Sequence, residues 1–134
     1  MTTKEILTEN LHVALEESYQ DAFYITPDIP EKKMNNAIKY IAEDCSKKDI
    51  IAVVDGTIFG SVKEGFVFTD TRFYAKVSGT KLAISYTVIG SMKADRNKIV
   101  INTKEGNTVF FRRLNILSGS WSCKIAKSTF KRRF

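Results

Sequence analysis

From Ile50 to Arg113 the chain is a succession of short strand-like runs, and this stretch constrains the fold more than any other. Ile50-Ile51-Ala52-Val53-Val54 is a dense β-branched run, and Phe66–Phe68, Phe73–Val77, Leu82–Val88, Lys98–Thr103 and Thr108–Arg113 follow, each bounded by Gly, Asn, Asp or Ser. β-branched and aromatic side chains fit a pleated, half-buried surface, whereas those bounding residues favour turns. Thr57, Ile58 and Phe59 resume after Gly56, so the first strand is expected to be bent or bulged, with a turn from Gly60 to Gly65. Short strands at this spacing predict an antiparallel barrel or sandwich.

Two hairpins stand out. In Gly65–Val77, Thr69 and Asp70 can bond the turn backbone through their side-chain oxygens, which lets two aromatic-rich strands reverse tightly and turn alternate rings inward. Phe66, Phe68, Phe73 and Ile84 are therefore core candidates. Ile99–Thr103 and Thr108–Phe111 form the second hairpin, because Glu105-Gly106-Asn107 tolerates the positive φ of a tight turn.

Helical patterns flank this region. Thr2 with Glu5 is a capping-box signature, and Leu7, Leu11, Ala14, Leu15, Ala22 and Phe23 recur at helical spacing, predicting a helix from Lys4 to Tyr19 or slightly beyond. Ile25 to Pro30 is a connector, since its two prolines remove donors and bias their neighbours to extended geometry. A second helix, with Pro30 in its first turn, is predicted to run to Cys45 with Met34, Ala37, Ile38, Ile41 and Ala42 on one side. Leu114, Leu117, Trp121, Ile125 and Phe130 fit a C-terminal helix, from which Trp121 would plug an open end of the strand region.

A chain of 134 residues with this composition is the size of one domain and can bury a core without disulfide or metal staples. Cys45 and Cys123 lack any CxxC or Cys/His spacing, which favours buried or idle thiols over a zinc site and suits a reducing cytoplasm. MTTKEILTEN has neither a basic nor an apolar leader pattern, and the longest aliphatic run stops at Asp55. A soluble, cytoplasmic protein is expected.

Charge is distributed unevenly. Residues 1–45 carry nine acidic and four basic side chains, residues 46–89 four and six, and residues 90–134 two and eleven. Such a gradient implies either an anionic partner for the basic end or an acidic start packed beside a basic finish. Catalytic chemistry is sparse. His12 sits on a predicted amphipathic helix with no motif partner, and Asp55, Asp70 and Asp95 occupy strand-end or turn contexts that capping explains. Gly56, Gly60 and Gly65 lack the GxxxxGK[ST] pattern of a phosphate loop. No catalytic, cofactor-binding or metal-ligating residue is assigned, and no small-molecule substrate is evident.

The segments "GFVFTDTRFYAK", "AISYTVIGSM" and "NKIVINTKEGNTVFF" resemble the strand, turn and hairpin pattern of bacterial pleckstrin-homology-like domains of the GRAM type. The segment "IPEKKMNNAIKYIAEDCSKKDIIAVVDGTIFG" resembles the helical lead-in found before them. The resemblance implies an α+β fold: two N-terminal helices, an antiparallel pleckstrin-homology-like open β-barrel of about six or seven strands, and a C-terminal capping helix. Residues 1–48 would form the helical lead-in and residues 49–134 the barrel with its closing helix, in one compact unit. It also implies a non-enzymatic binding or adaptor module, engaging a protein partner at an exposed strand edge or helix groove. The loop that holds inositol phosphates in such relatives offers only Lys63 beside Glu64 here, poor material for a head-group site.

The alternative is electrostatic. Arg112, Arg113, Lys124, Lys127, Lys131, Arg132 and Arg133 are candidate anion-binding residues, and in "CKIAKSTFKRRF" the basic residues alternate with Ile125, Phe130 and Phe134. That end could neutralise nucleic-acid phosphates, or lie on an anionic membrane surface at about 1 kcal/mol per basic residue.

Overall fold

The computed structural model describes residues 23–55, 62–94, 98–113 and 121–127. Among them the chain forms strand β1 (Phe23–Ile25), helix α1 (Glu31–Tyr40), and strands β2 (Ile50–Asp55), β3 (Gly65–Thr69), β4 (Arg72–Val77) and β5 (Thr80–Ser85). It continues with β6 (Ile89–Ala94), β7 (Lys98–Thr103), β8 (Asn107–Arg113) and β9 (Trp121–Lys127). Strands β1 to β5 make one antiparallel sheet in sequential order, and β6 to β9 make a second, also sequential.

Strands β2 to β4 are nearly all apolar, as befits strands covered on both faces, whereas the edge strand β5 is exposed or half-buried. Side chains alternate across a strand. Ala52, Val54, Phe66, Phe68, Phe73, Ala75 and Val77 therefore point to the second sheet, where they share a core with Ile99, Ile101, Val109 and Phe111. Val53, Val67 and Tyr74 point the other way and pack with Met34, Ala37, Ile41 and Ala42 of α1 and its C-terminal end. A register shift between Ile50 and Ala52 lets Ile50 join the helix side while Ile51 joins the inter-sheet core. Helix, five-stranded sheet and four-stranded sheet thus form three layers.

The inter-sheet core is built on rings. Phe66 meets Phe111 edge-on at 5.0 Å between centroids and Phe73 at 5.8 Å, while Phe73 lies 5.1 Å from Phe68 and 5.9 Å from Phe111. All four are buried, and edge-to-face or offset arrangements set positive ring edges against negative faces.

Side-chain turn chemistry closes the β3–β4 hairpin, but Thr69 performs it without Asp70. Thr69 Oγ1 accepts from the amides of Thr71 (3.2 Å) and Arg72 (2.9 Å) and donates to the Arg72 carbonyl (3.1 Å), while Asp70 is exposed. The chain leaves the first sheet through a 3-10 turn, Tyr86–Val88, and the Tyr86 hydroxyl donates to the Thr69 carbonyl at 2.8 Å. Gly90 then sits in a register shift of β6. A side chain there would press on the Asn102 carbonyl oxygen at 3.3 Å. The β7–β8 turn forms as the sequence predicts, with Gly106 at φ 94° and the Asn107 amide donating to Thr103 Oγ1 at 3.0 Å.

Several expectations need correction. The described strands do not close into a barrel, since sheets of five and four strands stack face to face. The C-terminal helix is replaced: Trp121–Lys127 is a strand along the whole of β8, so Trp121 belongs to a sheet edge and not to a plugging helix. Of the two N-terminal helices expected, Lys4–Tyr19 lies outside the described residues and the second is α1. Helix α1 stops at Tyr40 rather than Cys45. The Ala37 carbonyl accepts from both Ile41 and Ala42 amides, and Glu43 and Asp44 would have crowded the negative end of the helix dipole. Strand β2, which starts at Ile50 two residues after the expected lead-in, packs directly on the helix.

Candidate functional site

The inner face of the four-stranded sheet is committed to the core, so the period of two leaves a complementary set on its outer face. Lys93, Val100, Phe110 and Lys124 stand opposite one another in a row across β6, β7, β8 and β9. Ser91, Asn102, Thr108 and Ala126 form the row on one side, and Lys98, Arg112 and Ser122 the row on the other. The four basic side chains named here are exposed, whereas Phe110 and Val100 are half-buried at the centre.

The polar row is tied together. The Asn102 side-chain amide donates to Ser91 Oγ at 3.1 Å and its carbonyl oxygen accepts from Thr108 Oγ1 at 2.9 Å. These bonds cross β6, β7 and β8 and hold three strands in register next to the Phe110 row. Arg112 and Lys124 are diagonal neighbours across β8 and β9, about 7–8 Å apart, close enough to engage one anionic group together.

Within its strands the charge of this layer has one sign; Glu105 lies in the β7–β8 turn, and Asp95 lies outside the described residues. Strands β6 to β9 contain six basic residues, Lys93, Lys98, Arg112, Arg113, Lys124 and Lys127, and no Asp or Glu. On the helix side, carboxylates are matched by cations: Asp55 with Lys33 at 3.2 Å, Asp44 with Arg72 at 3.2 Å, Glu31 with Lys47 at 3.8 Å, and Glu43 with Lys81. Part of the basic end of the sequence gradient is thus gathered in one layer, and a face lined by cations raises the local concentration of polyanions.

Arg112 and Lys124, both named from sequence, are brought onto this face. Arg113 and Lys127 occupy register positions opposite Trp121 and Asn107. Lys131, Arg132 and Arg133 lie outside the described residues, as does His12. Sequence reasoning missed Lys93, Lys98 and Phe110. The alternation of Lys98, Val100 and Asn102 against Ile99 and Ile101 was the available signal.

Elsewhere the chemistry is quiet. Both cysteines are free and half-buried, and burial, the largest influence on each, pushes both thiols above their ordinary range, so each is a poor nucleophile at neutral pH. Among the described residues no group of three His, Cys, Asp or Glu side chains is placed to hold a metal ion, and no helix is long and apolar enough to cross a membrane. A groove of about 300 Å³ opens between the β5 and β9 edges, lined by Leu82, Ile84, Val88, Val109 and Ile125. Val88 and Ile125 are the exposed large apolar residues there.

Compared with protein-family models, curated proteins and solved structures, the chain matches none.

Proposed function

We propose that this protein is a non-enzymatic binding module whose outer four-stranded face engages an anionic chain molecule. The observation that carries the reading is the composition of β6 to β9: the strands hold six basic residues and no Asp or Glu, and Lys93, Lys98, Arg112 and Lys124 are exposed around a half-buried ring. A solvated sheet face ordinarily mixes both signs, and a single-sign field on such a face costs self-repulsion that a polyanion relieves. Free thiols suit a cytoplasmic setting.

The test is retention on immobilised heparin. The wild-type chain is expected to bind and to elute at higher salt than the Lys93→Glu/Lys124→Glu variant, while Lys47→Glu, on the helix side, elutes with the wild type. Cutting the chain after Lys127 removes Lys131, Arg132 and Arg133 without touching β9. Retention that vanishes with this truncation and survives the double reversal would transfer the activity from the face to the tail.

A second reading, a protein partner, has its own observation in the apolar groove between β5 and β9. Each is the outermost described strand of its sheet, and an extended peptide pairing there could place alternate side chains beside Leu82, Val88 and Ile125.

A further inference from the structure

We infer that the anionic chain held by the outer face is a single-stranded nucleic acid, with Phe110 as the platform on which a base stacks; this rests on the polyanion reading above. Charge alone does not distinguish a nucleic acid from any other polyanion, so the argument turns on what stands among the charges. Phe110 is central, with Val100 beside it on β7 and Lys124 beside it on β9, and Lys93 beyond Val100 on β6. Its neighbour Phe111 is fully buried in the inter-sheet core, whereas Phe110 is half-buried on the opposite face.

A ring held on a flat sheet between cations matches the two chemistries of an unpaired strand: π-faces at its bases and negative charge at its phosphates. Lys93 and Lys124 stand three strand spacings apart, about 14 Å, with the apolar pair between them. A strand laid across the row can therefore set phosphates over the lysines while a base covers Phe110. Arg112 lies two residues along β8, about 7 Å away, within reach of the next phosphate. Asn102 and Thr108, fixed by their mutual hydrogen bond, offer polar contacts to a base edge on the other side.

The alternatives fit less of the face. A duplex presents phosphates but keeps its bases stacked on one another and away from the ring. A lipid surface asks for an exposed apolar insertion, and this row offers two half-buried residues. Stacking is tolerant of base identity, so preference for single strands with little sequence preference is the expected signature.

The experiment is fluorescence anisotropy on the full chain with a 15-nucleotide oligothymidylate, a hairpin duplex of equal charge, and heparin as competitor. The wild type is expected to favour the oligothymidylate over the duplex. Phe110→Leu should weaken oligothymidylate binding about tenfold while leaving retention on immobilised heparin and the thermal midpoint unchanged. Phe110→Tyr, which keeps the ring, should retain wild-type affinity and guards against misreading a folding defect. Duplex binding at least as tight as single-strand binding, or Phe110→Leu without effect on the oligothymidylate, would overturn the inference while leaving polyanion binding standing. Failure of the wild type to bind heparin would overturn both.

Discussion

Phe111 and Phe66 meet edge-on at 5.0 Å, one from each sheet, and this contact joins two layers that the chain builds separately. Its sequence neighbour Phe110 faces the other way. Phe111→Ala is accordingly expected to cost about 3–5 kcal/mol, since the cavity it opens is shared by Phe66 and Phe73. Phe110→Ala removes only cross-strand contacts on an open face and should cost at most about 1 kcal/mol. Urea unfolding of the two variants measures the contrast, and equal losses would contradict the assignment of faces.

Asp55 is buried at the end of β2, where its carboxylate accepts from Lys33 Nζ at 3.2 Å and from the Val62 amide at 3.3 Å. Lys33→Met should destabilise by about 3 kcal/mol, because it removes a cation from a carboxylate that water scarcely reaches. Adding Asp55→Leu to that variant should cost much less than the sum of the single changes. A double-mutant cycle reads the coupling, and additive losses would mean that the pair is not energetically joined.

Thr69 carries the β3–β4 turn through three hydrogen bonds of its hydroxyl. Thr69→Val keeps the shape and deprives two amides of their acceptor, so a loss of about 1–2 kcal/mol is expected. Asp70→Ala, at an exposed turn position, should stay within about 0.5 kcal/mol. Thermal melts of the two variants would reverse this order if Asp70 were the turn's anchor.

Alkali should weaken the fold through Tyr74. Burial, reinforced by the Cys45 thiol and opposed by Arg72, raises its hydroxyl from 10.0 to about 12. The folded state thus holds this proton more tightly than the unfolded chain does. The resulting stability is fully present below pH 10 and is lost as pH rises from 10 through about 12. Tyr74→Phe should make the fall in urea midpoint shallower across that window. Some slope should remain, since burial also raises Cys45 and Tyr86. An unchanged slope would show that Tyr74 does not hold its proton preferentially in the folded state.

Much of the strand region was legible because local signals and tertiary surroundings agree there. β7 occupies the predicted span, and Phe66, Phe68 and Phe73 are buried as anticipated. The end of the chain misled for a definite reason: Trp121 and Ile125 are four residues apart, a separation that repeats on one face of a helix and equally on one face of a strand. The open edge of β8 decided between them. Strand β1 was hidden by the prolines that follow it, and β6 by the uninterrupted look of Leu82–Val88, which is broken where Ser85 Oγ accepts from the Thr87 amide. In the candidate site, Arg112 and Lys124 announced themselves by charge. Phe110 did not, because two adjacent phenylalanines look alike until pairing with β7 assigns them to opposite faces.

The passage from one sheet to the other at Tyr86–Val88 has a consequence for how the molecule assembles. Every strand lies beside its predecessor or successor in the described order, so each sheet comes from one uninterrupted stretch of chain. Hairpin contacts within a sheet are short in sequence separation, whereas contacts between layers, such as Phe66 with Phe111 and Glu43 with Lys81, span longer distances. During synthesis the helix and the first sheet can be complete before β7 and β8 have formed their hairpin, leaving the apolar side of Phe66, Phe68 and Phe73 uncovered in the meantime. Until β7 and β8 supply Ile99, Ile101, Val109 and Phe111, that apolar surface has no cover, and uncovered apolar surface of this kind is what makes a nascent chain prone to aggregate.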